Sequence, residues 1–146
     1  MGITYLVRRF LSLFRKNYSK PYKTNRGETV KSGGEKRIAD YFHRYGIKYE
    51  YERQLRFGGF LGFNSKKFRP DFYLPDFNLY IEYCGLRGQT EYDRTVNYKK
   101  RMYRKHSVRI VYIYPTELRD LHFVLKRKSE KYLEGKNLLD SVHLEK

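Results

Sequence analysis

The 146-residue sequence predicts one α/β domain whose elements follow the order helix, three strands, helix, strand, helix. Three observations indicate this order. Apolar residues recur at helical spacing near residues 38–45 and 92–106, two runs of β-forming residues flank a turn between these helices, and a β-branched and aromatic run follows at residues 108–114. With 40% hydrophobic residues, the chain is long enough for one compact core but not comfortably for two.

The N-terminal segment predicts a basic amphipathic helix ahead of that domain. Apolar residues repeat at helical spacing over residues 3–16, and Arg8 and Arg9 interrupt them, so the segment does not resemble a secretory signal. Three roles stay open: packing on the domain or on a second subunit of a homodimer, contacting nucleic acid, and lying on a membrane surface. Polar residues at 20–31 predict a linker. The expected organisation is therefore 1–31 for helix and linker, 32–131 for the domain, and 132–146 for a tail.

The first helix and the first strand of the domain have local signals. Ser32 and Glu35 match a capping box, and Gly46 follows the last apolar residue, so a helix is expected to begin near residue 32 and to end before residue 46. Residues 47–57 alternate enough to predict a single strand. Glycines at the end of that strand then predict a loop.

The most informative stretch is residues 69–84, where two apolar runs flank the turn residues 75–78. A hairpin symmetric about Asp76 and Phe77 places Asp71 directly opposite Glu82, with Cβ atoms roughly 4.5–5.5 Å apart. Two carboxylates at that separation repel each other unless they share a cation, and Mg²⁺ takes oxygen ligands from one or two carboxylates. The pair therefore predicts a metal site, whereas Asp76 at the tip is interpreted as a turn former.

The later elements follow from periodicity. Residues 92–106 predict a helix, and the continuous apolar run at 108–114 predicts a buried strand next to the hairpin. Pro115 is expected to open a last helix with an apolar stripe and a mostly basic, solvated end at residues 126–131.

The charge balance favours an anionic partner. The chain carries 32 basic and 16 acidic residues, a net charge of +16, which attracts nucleic acid first and an anionic membrane surface second. A basic run without any intervening acid lies next to the predicted metal site, and we expect it to track phosphates, although a solvated helix surface is the alternative. The run consists of Arg94, Lys99, Lys100, Arg101, Arg104, Lys105 and Arg109. DNA is preferred over RNA as the partner, and its strandedness stays open.

Composition argues against other kinds of site. Cys84 is the only cysteine, so there is no disulfide framework and no zinc constellation, and the four histidines are scattered without ligand spacing. No segment approaches the roughly 20 apolar residues of a membrane span. A cytoplasmic location is therefore expected, including the cytoplasm of a virus-infected host cell.

With these elements and acids, roughly residues 32–125 resemble the PD-(D/E)XK nuclease superfamily. The resemblance rests on Glu35 in the first helix, Pro70-Asp71 in the second strand and Glu82 in the third. The pattern Pro-Asp-Phe-x-Leu-Pro, followed by Ile-Glu-Tyr and a glycine, is similar to small nuclease domains associated with DNA helicases, and archaeal Holliday-junction resolvases share the skeleton. The resemblance implies a restriction-endonuclease-like αβββαβ core, in which a mixed central sheet is flanked by helices.

The activity implied by the resemblance is phosphodiester hydrolysis by a metal-activated water, as in an endonuclease or a structure-selective nuclease. Asp71, Glu82 and the backbone carbonyl of Tyr83 would hold Mg²⁺ or Mn²⁺, and Glu35 would position a metal-bound water or a second ion. Each residue has a structural alternative. Glu35 could serve only the helix cap, and Asp71 could be satisfied by Arg69 or by a backbone amide.

The sequence departs from the family pattern at Cys84, which stands where the motif lysine belongs. In some branches of the superfamily that lysine has migrated to the following helix, and Asn97-Tyr98-Lys99 resembles the migrated form. Helical spacing places Lys99 in the middle of an inward stripe, while Lys100 and Arg101 point outward. Lys99 is therefore the predicted cation near the attacked phosphate, and a lysine that snorkels past the edge of the core is the alternative.

Two other function classes stay open. One is a non-catalytic nucleic-acid-binding module on the same fold, which the loss of the lysine at position 84 supports. The other is a structural, ribosome-like basic protein. Cleavage that depends on a divalent metal separates the nuclease from both.

Overall fold

A computed structural model describes residues 21–58, 65–85, 90–135 and 138. The helix predicted for residues 3–16 lies outside this part of the chain. The described helices are α1 (Gly33–Arg44), α2 (Thr90–Lys105) and α3 (Leu121–Leu133), with 3₁₀ turns at Pro75–Phe77 and Pro115–Asp120. The described strands are β1 (Tyr22–Lys23), β2 (Thr29–Val30), β3 (Glu50–Tyr51), β4 (Leu55–Phe57), β5 (Lys66–Phe68), β6 (Phe72–Leu74), β7 (Leu79–Tyr83) and β8 (Ile110–Ile113).

The central sheet has the strand order β3-β6-β7-β8. Strands β3, β6 and β7 are antiparallel neighbours, whereas β8 runs parallel to β7 and is reached through α2. Two hairpins lie outside this sheet, β1 with β2 and β4 with β5. The expectation of a mixed α/β fold with a mixed sheet and helices is confirmed.

The register of the β6–β7 hairpin is the one predicted. Phe72 pairs with Ile81, and the next two pairs follow the same symmetry. The turn between the strands is a 3₁₀ turn closed by Asn78, which adopts φ 46°, a left-handed conformation that asparagine tolerates better than most residues. Because side chains alternate along a strand, this register points Asp71 and Glu82 toward the same side of the sheet.

The two sides of the central sheet are covered by different elements. One side, which we call the apolar face, packs against α1 and α3 through a cluster that includes Ile38, Phe42, Phe72, Ile81 and Leu125. The other side, which we call the tyrosine face, packs against α2 and β5 through Phe68, Tyr73, Tyr80, Tyr103 and Ile110. Glu82 shares the tyrosine face with Tyr80, two residues earlier on β7.

Three sequence-based predictions of secondary structure are wrong in detail. The single strand expected at residues 47–57 is two strands in different sheets, because Glu52 adopts φ 53° and turns the chain between β3 and β4. The segment expected to be a linker contains the hairpin β1–β2, whose Val30 is buried. The last helix begins at Leu121 rather than Pro115, because a 3₁₀ turn comes first and Asp120, with φ −131°, separates the two. It also continues to Leu133, two residues into the predicted tail.

None of the helices in the described part of the chain combines the length and the apolar character that crossing a membrane requires.

Candidate active site

Glu35 lies in the first turn of α1 and is buried. Ser32 caps this helix by accepting the Glu35 backbone N–H at 3.1 Å, and the Ser32 hydroxyl donates to Glu35 Oε1 at 2.8 Å. Glu35 Oε2 accepts from the Lys31 backbone N–H at 3.0 Å and from the Tyr51 hydroxyl at 2.6 Å. The capping role considered for Glu35 is therefore present, although its carboxylate reaches the amide of Lys31 rather than that of Ser32.

Asp71 directly precedes β6 and lies opposite Glu82, near the end of β7. Its Oδ2 accepts the backbone N–H of Tyr83 at 2.6 Å, which is the backbone-amide partner considered above; Arg69 is exposed and makes no ion pair with it. Burial raises the pKa of Asp71 well above its usual range, and the negative charges of Glu82 and Glu35 raise it further. The charge of Lys99 and the Tyr83 amide oppose that rise without cancelling it.

Glu82 is an acid in the interior of the sheet, with 7% of its surface exposed. Its Oε1 accepts from Lys99 Nζ at 2.6 Å. Its Oε2 is buried and has no hydrogen-bond partner among the described residues. A buried carboxylate oxygen without a partner lowers the stability of the folded state. This oxygen of Glu82 therefore lacks a hydrogen-bond donor or a cation that the described residues do not supply.

Lys99 reaches Glu82 from α2, across the tyrosine face. Burial alone would lower the pKa of Lys99, but the charge of Glu82, its hydrogen bond and the charge of Asp71 raise the pKa above its usual value. The lysine therefore stays protonated throughout the physiological range. It lies on the side of the sheet that carries Asp71 and Glu82, as the helical spacing predicts.

Lys100 does not point outward as predicted. Its ammonium donates to the Tyr114 hydroxyl at 3.0 Å and lies 4.8 Å from the centre of the Tyr112 ring. The reason is tertiary contact. Tyr112 on β8 and Tyr114, just after β8, lie next to Lys100 and draw its ammonium toward them. Lys100 also lines a cavity of about 350 Å³ together with Cys84 and Asn97. The other predicted phosphate-binding residues of α2 are exposed: Arg94, Arg101, Arg104 and Lys105.

Cys84 follows β7 and is buried. Burial raises the pKa of its thiol to about 11, so the side chain is a neutral thiol near neutral pH. This fits a small buried hydrophobic residue rather than a reactive one. No cation stands at the motif-lysine position itself, and Lys99 is the ammonium that contacts Glu82.

Two tyrosines near the carboxylates have no assigned role in the sequence analysis. Tyr51 donates to Glu35, and no sequence signal could have revealed this, because the contact depends on where β3 lies. Tyr103 is 1% exposed, and its hydroxyl has no hydrogen-bond partner among the described residues. Burial and the charges of Glu82 and Asp71 raise its pKa. Its position four residues after Lys99 on one helix stripe was a usable signal.

Two glycines make room for the Tyr83 ring at the end of β7. A Cβ atom on Gly34, in the first turn of α1, would overlap the ring of Tyr83. A Cβ atom on Gly85 would lie 2.8 Å from the same ring, closer than real Cβ atoms approach. The ring therefore fills the space between the start of α1, which carries Glu35, and the strand that carries Glu82.

No protein-family model matches the chain, no curated protein matches its sequence, and no solved structure matches it. The functional proposal therefore rests on the geometry and the charges of the site.

The donor set suits a hard divalent cation only in part. Two further acids of this strongly basic chain, Glu82 and Glu35, are close enough to Asp71 for their charges to raise its pKa. Across the described ranges, no three His, Cys, Asp or Glu side chains converge as a metal cluster, so Glu35 does not complete a three-carboxylate centre in this arrangement. Asp71 and Glu82 remain as a pair with one unpaired oxygen, and Mg²⁺ commonly uses one or two carboxylates and keeps water for the rest.

Proposed function

We propose that this protein is a divalent-metal-dependent nuclease that hydrolyses phosphodiester bonds in DNA, of the PD-(D/E)XK type. The observation that carries the proposal is Glu82: one oxygen is paired with Lys99, the other is buried without a partner, and Asp71 lies opposite. A buried acid with this environment is costly for stability, which favours a functional explanation.

The order of elements supports the finer fold assignment. Elements α1, β3, β6, β7, α2 and β8 follow one another as helix, three strands, helix and strand, with β4–β5 inserted. The last two strands are the parallel pair joined by a helix. This order agrees with a restriction-endonuclease-like core, in which Glu35, Asp71 and Glu82 would occupy the motif positions.

Each residue has a role that follows from its contacts. Asp71 and Glu82, with the Tyr83 carbonyl, would hold Mg²⁺ or Mn²⁺, which when bound lowers the pKa of a water and offsets phosphate charge. Lys99 stays protonated and would orient the attacking water or the phosphate as a point charge. Glu35, held by the Tyr51 hydroxyl, would accept a hydrogen bond from a water beside the carboxylate pair.

The test uses a matched pair of aspartates. Asp71 and Asp76 both stand in a Pro-Asp-Phe tripeptide, but Asp76 is exposed in the turn. Labelled single-stranded, duplex and branched DNA, and RNA, are incubated with the protein in Mg²⁺, Mn²⁺ or EDTA. Asp71→Asn and Glu82→Gln should lose more than the roughly 10- to 100-fold typical of changes outside the metal ligands. Asp76→Asn should cleave normally. Full activity of purified Asp71→Asn would overturn the proposal.

A non-catalytic nucleic-acid-binding module is the second candidate, and Cys84 is the observation that favours it. A neutral, buried thiol stands at the position of the motif lysine. Under this alternative, all variants bind DNA and none cleaves it in any metal. A Holliday-junction-resolvase-like activity is a narrower form of the first proposal, and branched DNA in the same assay identifies it.

A further inference from the structure

The β4–β5 hairpin presents an unpaired basic surface. Arg56 and Lys67 are direct cross-strand partners, and both are exposed. Arg69 lies two residues after Lys67, just beyond β5, and is also exposed. None of the three makes an ion pair within the part of the chain that the structure describes. Like charges directly opposite in a hairpin destabilise it, so an anion would relieve a strain that the protein leaves in place.

The neighbouring sequence contains no acid that could pair with these basic residues. Residues 54–70 contain four basic side chains and no acid. Packing on the tyrosine face explains the apolar residues on the inner side of the hairpin. It does not explain why the outer side carries two opposed basic residues.

The inner side packs the hairpin on α2 and on His106, the residue that follows it. The Phe57 ring stacks on His106 with centroids 4.2 Å apart, and the Phe68 ring meets Tyr103 at 5.6 Å. Lys66, at the rim, donates to the Tyr98 hydroxyl at 2.8 Å. The basic side is thus displayed by a two-stranded ribbon fixed to the helix that carries Lys99.

We propose that the outer side of this hairpin, formed by Arg56 and Lys67 and extended by the exposed Arg69 just beyond β5, docks in the major groove of duplex DNA; these three residues are here called the basic ribbon. A two-stranded β-ribbon fits the major groove of B-form DNA, which is about 12 Å wide. The deep and narrow major groove of A-form RNA does not admit protein side chains. Arg69 is two residues before Asp71 in the chain, so this end of the basic ribbon is the one nearest in sequence to the carboxylate pair.

This proposal rests on the proposed nuclease function and specifies duplex DNA as the substrate. Its test does not depend on cleavage. All binding is measured in EDTA by fluorescence anisotropy across a salt titration, with labelled duplex DNA, single-stranded DNA and double-stranded RNA of one sequence.

The decisive variant is Arg56→Gln with Lys67→Gln. Each phosphate contact contributes about 0.9 to the slope of log affinity against log salt, so the slope for duplex DNA should fall by up to about 1.8. The control is Lys126→Gln with Arg127→Gln, two exposed residues of α3, which packs on the other face of the sheet. The control removes the same charge and should leave the slope unchanged. Thermal unfolding should show the ribbon variant at least as stable as the parent protein, because a cross-strand repulsion is gone.

A second measurement tests the groove. Duplex DNA whose major groove is filled by glucosylated 5-hydroxymethylcytosine should bind the parent protein as weakly as plain duplex binds the ribbon variant. Equal affinity for filled and open grooves, equal effects of the two double variants, or stronger binding of double-stranded RNA would each overturn the inference. If the ribbon results hold and no metal supports cleavage, the docking surface stands and the nuclease proposal fails.

Discussion

The apolar face and the tyrosine face are built by the same strands, but they bury different chemistry. The apolar face is packed with aliphatic and phenylalanine side chains such as Ile38, Phe72 and Leu125. The tyrosine face carries Glu82 and Tyr103, each with a buried polar atom that lacks a partner among the described residues. Strand alternation therefore separates the part of the sheet that stabilises the fold from the part that would bind a cation.

Substitutions of Lys99 and Lys100 compare two neighbouring lysines of equal charge, of which Lys99 contacts Glu82. They test whether this contact, rather than charge alone, supports cleavage. If the nuclease proposal is right, Lys99→Ala should lower the single-turnover rate constant of cleavage by about 10²- to 10⁴-fold, as for a positioned acid-base group, with little loss of substrate affinity. Lys100→Ala, which loses a bond to Tyr114, should cost far less in rate. The measurement is single-turnover cleavage at saturating DNA. Equal losses in the two variants would show that the charge of α2, rather than the Glu82 contact, supports the reaction.

The apolar face should carry most of the stability. Phe42 is fully buried and meets the Phe72 ring edge-on at 5.6 Å. Phe42→Ala should lower the free energy of unfolding by about 3–5 kcal/mol. Phe57→Ala, on the half-buried hairpin beside α2, is the matched change and should cost less. Urea denaturation of both variants measures the difference, and equal costs would remove the contrast between the faces.

Asp71 should destabilise the folded state when no cation is bound. Because the pKa of Asp71 is raised, the folded state holds its proton more tightly than the unfolded state. Stability therefore falls as pH rises from the ordinary carboxyl range through the raised pKa. At neutral pH in EDTA, Asp71→Asn should be more stable by about 1 kcal/mol, a few degrees in Tm, and its stability should vary less with pH.

The same experiment with metal reverses the ranking. Mg²⁺ should raise the Tm of the parent protein by mass action and leave Asp71→Asn unchanged. Asp76→Asn, in the exposed turn, should follow the parent protein under both conditions. A parent protein that is already more stable than Asp71→Asn in EDTA would show that Lys99 and the Tyr83 amide fully compensate the carboxylate.

The smallest effect is expected at Tyr103. Its hydroxyl is buried without a described partner, so Tyr103→Phe should change the free energy of unfolding by less than about 1 kcal/mol and could stabilise the protein. Tyr51→Phe is the contrasting change, because it removes a donor from Glu35 and should destabilise the fold by roughly 1–3 kcal/mol. A loss at Tyr103 as large as that at Tyr51 would reveal a bound water or ion that the hydroxyl serves.

The sequence predicts features whose causes are local. The turn at residues 75–78 specifies the hairpin register, and Ser32 with Glu35 specifies the start of α1. The helical spacing of α2 is enough to place Lys99 toward the sheet. In each case the residues that determine the structure are close together in the chain.

Features that depend on distant neighbours are not predicted. Glu52 carries no sequence signal for its positive φ, so the break between β3 and β4 is missed. The position of Lys100 depends on β8, and the hydrogen bond of Tyr51 to Glu35 joins β3 to α1. The carboxylate pair is predictable because its two strands form a hairpin, whereas the environment around it comes from the tertiary structure.

The Tyr83 ring has a consequence for which sequences this architecture tolerates. Gly34, Tyr83 and Gly85 form a single steric unit, since the ring occupies the volume that side chains at either glycine would need. A methyl group at position 34 requires the Tyr83 ring to move aside or a smaller side chain to replace it. One aromatic ring thus couples the start of α1, which carries Glu35, to the end of β7, which carries Glu82, and we expect substitutions at positions 34 and 85 to be tolerated best when position 83 changes with them.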